Sequence, residues 1–165
     1  MDGKIRYIRV SNFSKKQFID AQNSLSNHDI VSDQVEYSLI VRDPEKDLLP
    51  YLQKEGVTLI AYSPLAKGAI FTNKYSKLVT ELSDISKKYS MTSVQVALNW
   101  LISKEGVITI PKASTSAHAA EDAKSVDFKL GPTDIQILDK LGGKFRRRPL
   151  SRRIHPFISL LNVIR

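Results

Sequence analysis

Cysteine is absent from the 165 residues. That excludes a disulfide-stapled fold, a thiolate zinc site, an iron–sulfur cluster and a cysteine nucleophile. Glycine and proline are sparse, at seven each, which excludes collagen-like and low-complexity classes. No apolar run approaches the ~18 residues that a membrane span needs. The opening Met1-Asp2-Gly3-Lys4 lacks the apolar stretch of a signal peptide, so a cytoplasmic location is expected, with no membrane partner. With 42% hydrophobic and 25% charged residues, what remains is an ordinary globular composition.

The C-terminal segment combines many basic residues with no acidic ones. Residues 144–165 carry seven Lys or Arg and no Asp or Glu, which leaves 18 basic against 17 acidic residues in 1–143. The net charge of +8 therefore belongs almost wholly to a C-terminal tail on a nearly neutral body. The expected organisation is a body over 1–143 and a basic tail over 144–165. Such a tail either contacts an anionic surface or nucleic acid, or is a solvated extension, or packs Phe157, Ile158, Leu160 and Leu161 on the body.

Patterning gives an alternating order. Strands are expected over 5–10, 30–37, 57–62 and 107–110. Helices are expected over about 14–25, 45–55, 76–89, 92–104, 116–124 and 132–141. Ser14 with Gln17, and Thr92 with Gln95, have capping-box spacing. Gly56 and Gly106 end helices, and Pro132 opens one. The first two strand-to-strand intervals are about 26 residues, a normal βαβ repeat. Alternation of this kind gives a parallel sheet with right-handed crossovers, whose ligands bind at the carboxyl ends of the strands. Those ends are Ser11-Asn12, 34–38, Tyr62-Ser63 and Pro111-Lys112.

Four blocks at these ends share one resemblance. They are Gly3-Lys4-Ile5-Arg6-Tyr7-Ile8-Arg9-Val10-Ser11-Asn12-Phe13, Gln34-Val35-Glu36-Tyr37-Ser38, Leu59-Ile60-Ala61-Tyr62-Ser63-Pro64-Leu65-Ala66-Lys67-Gly68, and Gln95-Val96-Ala97-Leu98-Asn99-Trp100-Leu101 with Ile110-Pro111-Lys112-Ala113-Ser114. In order and spacing they resemble strands five to eight of the aldo/keto reductases, over roughly residues 3–141. The resemblance implies an α/β fold of about four βα units, half of a TIM barrel, where a whole barrel takes about 250 residues. It also implies NADP(H) as cofactor, with NAD(H) as the alternative, and hydride transfer between a carbonyl and an alcohol.

The cofactor-binding residues follow from the same resemblance. Ser11, Asn12 and Gln34 match the groups that hydrogen-bond the nicotinamide carboxamide, which needs both donors and acceptors. Tyr62 matches the ring stacked on the nicotinamide. Ser63, Leu65 and Lys67 match the pyrophosphate loop. Lys112 and Ser114 match the 2′-phosphate site. Glu121 and Asp122 match positions near the adenine. His118 stands where many members carry Arg, which implies weaker phosphate affinity and a smaller preference for NADP over NAD. Arg9 stands where Gly is usual, and a large cation there needs a partner or an open side of the barrel.

The family's catalytic Asp, Tyr, Lys and His belong to the first half of the barrel. None of His28, His118 and His155 matches the catalytic histidine, so no catalytic residue and no metal ligand is assigned. An unpaired half would expose its sheet edges and inner face, which implies a homodimer or a complementary half barrel as partner. Two other readings stand beside this one. A non-enzymatic nucleic-acid module is suggested by the tail and the paired helices over 76–104, yet Val94, Val96, Leu98, Trp100 and Leu101 are too apolar for a recognition helix. An inert relic of a truncated gene would retain the same residues.

Overall fold

Each strand of this protein is followed by helix, and the strands stack in the order of the chain. A computed structural model describes residues 5–142. Its strands are β1 (Ile8–Ser11), β2 (Ile30–Glu36), β3 (Thr58–Tyr62) and β4 (Val107–Ile110), all parallel, in the order β1-β2-β3-β4. A sheet wound in one direction is the wall of a barrel, whereas a doubly wound sheet reverses its order at a switch point. The helices are α1 (Lys15–Asn23), α2 (Leu48–Lys54), α3 (Ser76–Tyr89), α4 (Ser93–Ile102), α5 (Ser116–Ala123) and α6 (Pro132–Gly142). The basic segment 144–165, with His155, lies outside the described residues.

Local chemistry sets these boundaries. Both capping boxes form: Ser14 accepts from the Gln17 N–H and Thr92 from the Gln95 N–H, and each glutamine side chain reaches back to its cap. Gly56 and Gly106 have φ of +67° and +70°, the left-handed turn that lets a strand follow a helix at once. Three expectations shift. The first strand begins at Ile8 rather than residue 5, because β2 begins at Ile30, Ile8's partner, so residues 5–7 have nothing to pair with. Ile5 and Tyr7 are accordingly 74% exposed. The helix expected over 45–55 divides into a 3₁₀ turn at Asp43–Lys46 and α2. Pro50 explains the division: it has no N–H to bond back, so it is held to the first turn of a helix starting at Leu48. Finally, the loop after β3 continues through short 3₁₀ turns at Ala66–Phe71 and Asn73–Tyr75 before α3.

The core lies between the sheet and the helices. Phe18, Leu52, Leu59, Leu78, Leu82, Trp100 and Leu138 are essentially without exposure. α4 is buried at every position from Gln95 to Leu101, so it presents no face for reading bases. Polar ties close the shell. Arg42 bridges Glu45 and Asp139, and Asp139 also accepts from the Trp100 indole at 3.0 Å. Asn99, itself buried, donates to the carbonyls of Ser125 and Phe128 at 2.9 and 2.8 Å and accepts from the Leu130 N–H. It thereby folds the segment after α5 back onto α4.

Candidate functional site

The opposite face of the sheet is different in kind. Register places Ser11, Gln34, Ile60 and Ile108 in one row, and Glu36, Tyr62 and Ile110 in the next row towards the carboxyl ends. Ile108 and Ile110 are 49% and 44% exposed. Arg9 lies one step down from Ser11 and is also exposed, so its cation remains in water and needs no buried partner.

At the carboxyl end, β1 and β3 are joined across β2 by side chains. The Tyr62 hydroxyl donates to Asn12 Oδ1 at 3.0 Å. Asn12 Nδ2 donates to Ser11 Oγ at 3.3 Å, and Ser11 Oγ donates to the Gln34 carbonyl at 2.9 Å. The Asn12 N–H donates to that same carbonyl at 2.9 Å, and Asn12 takes a left-handed φ of 59° to do so. Burial first, and then the negative charge of Glu36, push the Tyr62 phenol up, against the Asn12 hydrogen bond. The phenol therefore stays protonated and donates. The Gln34 side-chain amide, half-buried beside this chain of bonds, has no partner among the described residues.

A cleft of roughly 700 Å³ opens from Tyr62. Ser63, Pro64, Leu65, Lys67 and Gly68 form one wall, and Ile110, Pro111 and Lys112 the other. The first wall is strongly kinked: Ser63, Ala66, Lys67 and Gly68 all have positive φ. Non-glycine residues there cost about 1 kcal/mol or more each, so the surrounding fold holds the loop in place. Two of its N–H groups close internal turns, Ala66 onto the Ser63 carbonyl at 2.7 Å and Gly68 onto the Leu65 carbonyl at 3.0 Å. Among the described residues, neither Lys67 nor Lys112 has an ion-pair partner.

The second group of expected residues lies apart. Ser114 and His118 are exposed, and Glu121 and Asp122 are half-buried; none of the four lines the cleft. Thr115 caps α5 by accepting from the His118 N–H at 3.1 Å. Gln95 Nε2 donates to the Glu121 carbonyl at 2.9 Å and seats α5 on α4. Burial and then Glu121 push the Asp122 carboxyl up, while His118 opposes them. The structure thus joins Ser11, Asn12, Gln34 and Tyr62, and joins Tyr62, Ser63, Leu65, Lys67 and Lys112, with α5 as a separate shoulder.

Some neighbours lie in the quoted blocks without an assigned role. Glu36 could have been found by alternation from Gln34, which puts both on one face. Pro64, Ile110 and Pro111 look like strand-end punctuation until the loops fold against each other. Among the described residues, no cluster of three or more His, Asp or Glu could hold a metal ion.

A parallel sheet wound in chain order, with a polar rim and a kinked cleft at its carboxyl end, defines an α/β protein of the (β/α)-barrel class. The profile of the Aldo/keto reductase family matches residues 1–142, and the chain belongs to that family. It is 34% identical over 138 residues to methylglyoxal reductase YeaE of Escherichia coli K12, covering 84% of this chain and 48% of that protein. Among solved structures, it resembles the thermostable aldo-keto reductase Tm1743 in complex with the inhibitor epalrestat, with TM-score 0.76 and 41% identity over 83% of this chain and 48% of that one. It also resembles an aldo/keto reductase of Klebsiella pneumoniae in complex with NADP and acetate, with TM-score 0.76 and 29% identity over 88% of this chain and 50% of that one. The chain spans about half the length of the relatives it matches, and its four βα units are a partial barrel.

Proposed function

We propose that the chain is the carboxyl-terminal half of an aldo/keto reductase barrel, strands five to eight, with its body over 1–143 and the basic tail beyond it, and that it binds NADP(H) at its strand ends. The supporting observation is the bonded chain Tyr62–Asn12–Ser11–Gln34 leading into the cleft between Lys67 and Lys112. The donor set suits the cofactor. Asn12 and the free amide of Gln34 supply both donors and acceptors to a carboxamide. Tyr62 offers an aromatic face fixed by its hydroxyl. Ser63, Leu65 and Lys67 present backbone and a cation to the pyrophosphate. Lys112, Ser114 and His118 face the 2′-phosphate, and Glu121 and Asp122 the adenine side. NAD(H) fits the same residues without the phosphate contacts.

The bound dinucleotide would supply hydride to a carbonyl carbon. This chain's residues would bind and orient it, and a proton donor from another half would complete the reaction. Reductase activity therefore requires a complementary half barrel, or whatever covers the sheet's open face. The test is NADPH consumption with methylglyoxal, chosen because a relative is a methylglyoxal reductase. The chain alone is expected to bind NADPH without turnover, and turnover is expected when the complementary half of a relative is supplied. Turnover by the chain alone would show that it carries its own proton donor.

A further inference from the structure

Among the described residues, Asp33 is the one buried charged group whose carboxyl has nothing to hold. It occupies a row with Val10 on β1 and Leu59 on β3, on the helix side of the sheet, and it is 0% exposed. Neither carboxyl oxygen has a hydrogen-bond partner of ordinary geometry. The backbone N–H of Phe13, the residue immediately after Asn12, acts on the carboxyl and favours its charged form, against burial. Among the described residues, no charged side chain comes to it from the elements packed around it. Arg9 of β1 and Glu36 of β2 alternate to the other face, and β3 offers Leu59. On α1, Lys15 sits over the Tyr51 ring, while Lys16 and Asp20 are exposed.

We propose that Asp33 is a positioning residue: its carboxyl, set beneath the Asn12 turn, couples its own protonation to the geometry of Ser11 and Asn12, and through them to affinity for a nicotinamide dinucleotide. The affinity part rests on the reading of Ser11, Asn12 and Gln34 as a carboxamide seat. The physical chain is short. A neutral carboxyl tolerates an apolar row, whereas a carboxylate must draw in a donor or water. The available donor is the Phe13 N–H, so ionisation pulls on the backbone that holds Asn12 at φ 59°. Asn12 in turn receives Tyr62 and bonds Ser11, so the whole rim chain feels the change. Burial pushes the Asp33 carboxyl up to about 6, with the Phe13 N–H opposing, so the transition falls near neutral pH.

The first experiment needs no cofactor. Backbone amide resonances of Asn12 and Phe13 are followed from about pH 5 to about pH 8 in the wild-type chain and in Asp33→Asn. Both amides are expected to titrate together near pH 6 in the wild type and to be flat in the variant, with Gly106 as an unaffected control. The second experiment measures NADH affinity across the same range, since NADH has no 2′-phosphate to titrate at His118. Wild-type affinity is expected to fall about fivefold more than that of Asp33→Asn as pH rises. A purely structural Asp33 would change stability without changing this ratio. Static amides in the wild type would overturn the proposal, and that arm depends on no variant folding. Equal pH profiles of affinity in both proteins would overturn its functional part. Absence of dinucleotide binding at every pH, with titrating amides, would overturn the cofactor reading and leave the coupling to the turn upheld.

Discussion

The Tyr62 hydroxyl and Asn12 Oδ1 meet at 3.0 Å, although their strands are separated by β2. This bond fixes the ring by its far end and occupies one pole of the Asn12 amide. Tyr62→Phe keeps the ring and removes the bond. Loss of such a bond costs about 1 kcal/mol, so NADPH affinity should fall about fivefold. Tyr62→Ala, which also removes the face, should fall further. Calorimetric titration of the two variants checks the order, and equal losses would show that the ring matters only through its hydroxyl.

Asp33 also predicts a pH-dependent stability. Its carboxyl is raised from 3.8 to about 6 on folding. Below the unfolded value both states are protonated and there is no penalty. Between the two values the unfolded chain releases its proton first, so stability falls as pH rises. Above the folded value the penalty is constant, at most about 3 kcal/mol. Asp33→Asn should therefore raise the unfolding temperature at about pH 7.5 and leave it nearly unchanged at about pH 4. Thermal scans at the two pH values give the answer.

The sequence displays the scaffold better than the ties that hold it. Strand ends, both capping boxes and the turns at Gly56 and Gly106 are written in local spacing, and the rim residues Ser11, Asn12, Gln34 and Tyr62 sit at those ends. The roles proposed for them rest on the resemblance of four blocks, since a lone Asn after a strand is usually only a turn residue. Asp33 reads as an ordinary polar position because a one-residue bulge between Ile8 and Arg9 sets which face it takes. Asn99 reads as part of an apolar helix because its partners, 26 to 31 residues away, are backbone groups with no sequence signal. Pro50 is a local signal of the same kind, since it dictates where α2 starts.

Asn99 supplies the third prediction. It makes two donor bonds and one acceptor bond in a buried site. Asn99→Ala leaves those backbone groups unpaired and should cost about 3 kcal/mol. Because the segment it holds follows α5, amide exchange in Ser116–Ala123 should quicken before global unfolding. Unchanged protection there would show that Gln95 alone seats the helix.

His118 gives a specificity prediction. It stands in the first turn of α5, exposed, with its backbone N–H already bonded to the Thr115 cap. His118→Arg adds a permanent forked cation without disturbing that cap. NADPH affinity should rise about tenfold while NADH affinity stays the same. A parallel rise for NADH would place the residue away from the 2′-phosphate.

The exposed isoleucines predict association. Ile108 and Ile110 lie 49% and 44% exposed on a sheet whose outer strands, β1 and β4, each have a single neighbour among the described residues. Light scattering should report a dimer of the 18.6 kDa chain, or a complex once a complementary half is added. A dilute, stable monomer would contradict this.

The most direct test of the central claim is calorimetric titration of the folded chain with NADPH, repeated with NADH and with Lys112→Ala. Saturable binding of NADPH is expected, weakened when Lys112 is removed and less affected for NADH. A cooperatively folded chain that takes up neither dinucleotide would contradict it, because the strand-end residues would then form a rim without a cofactor site.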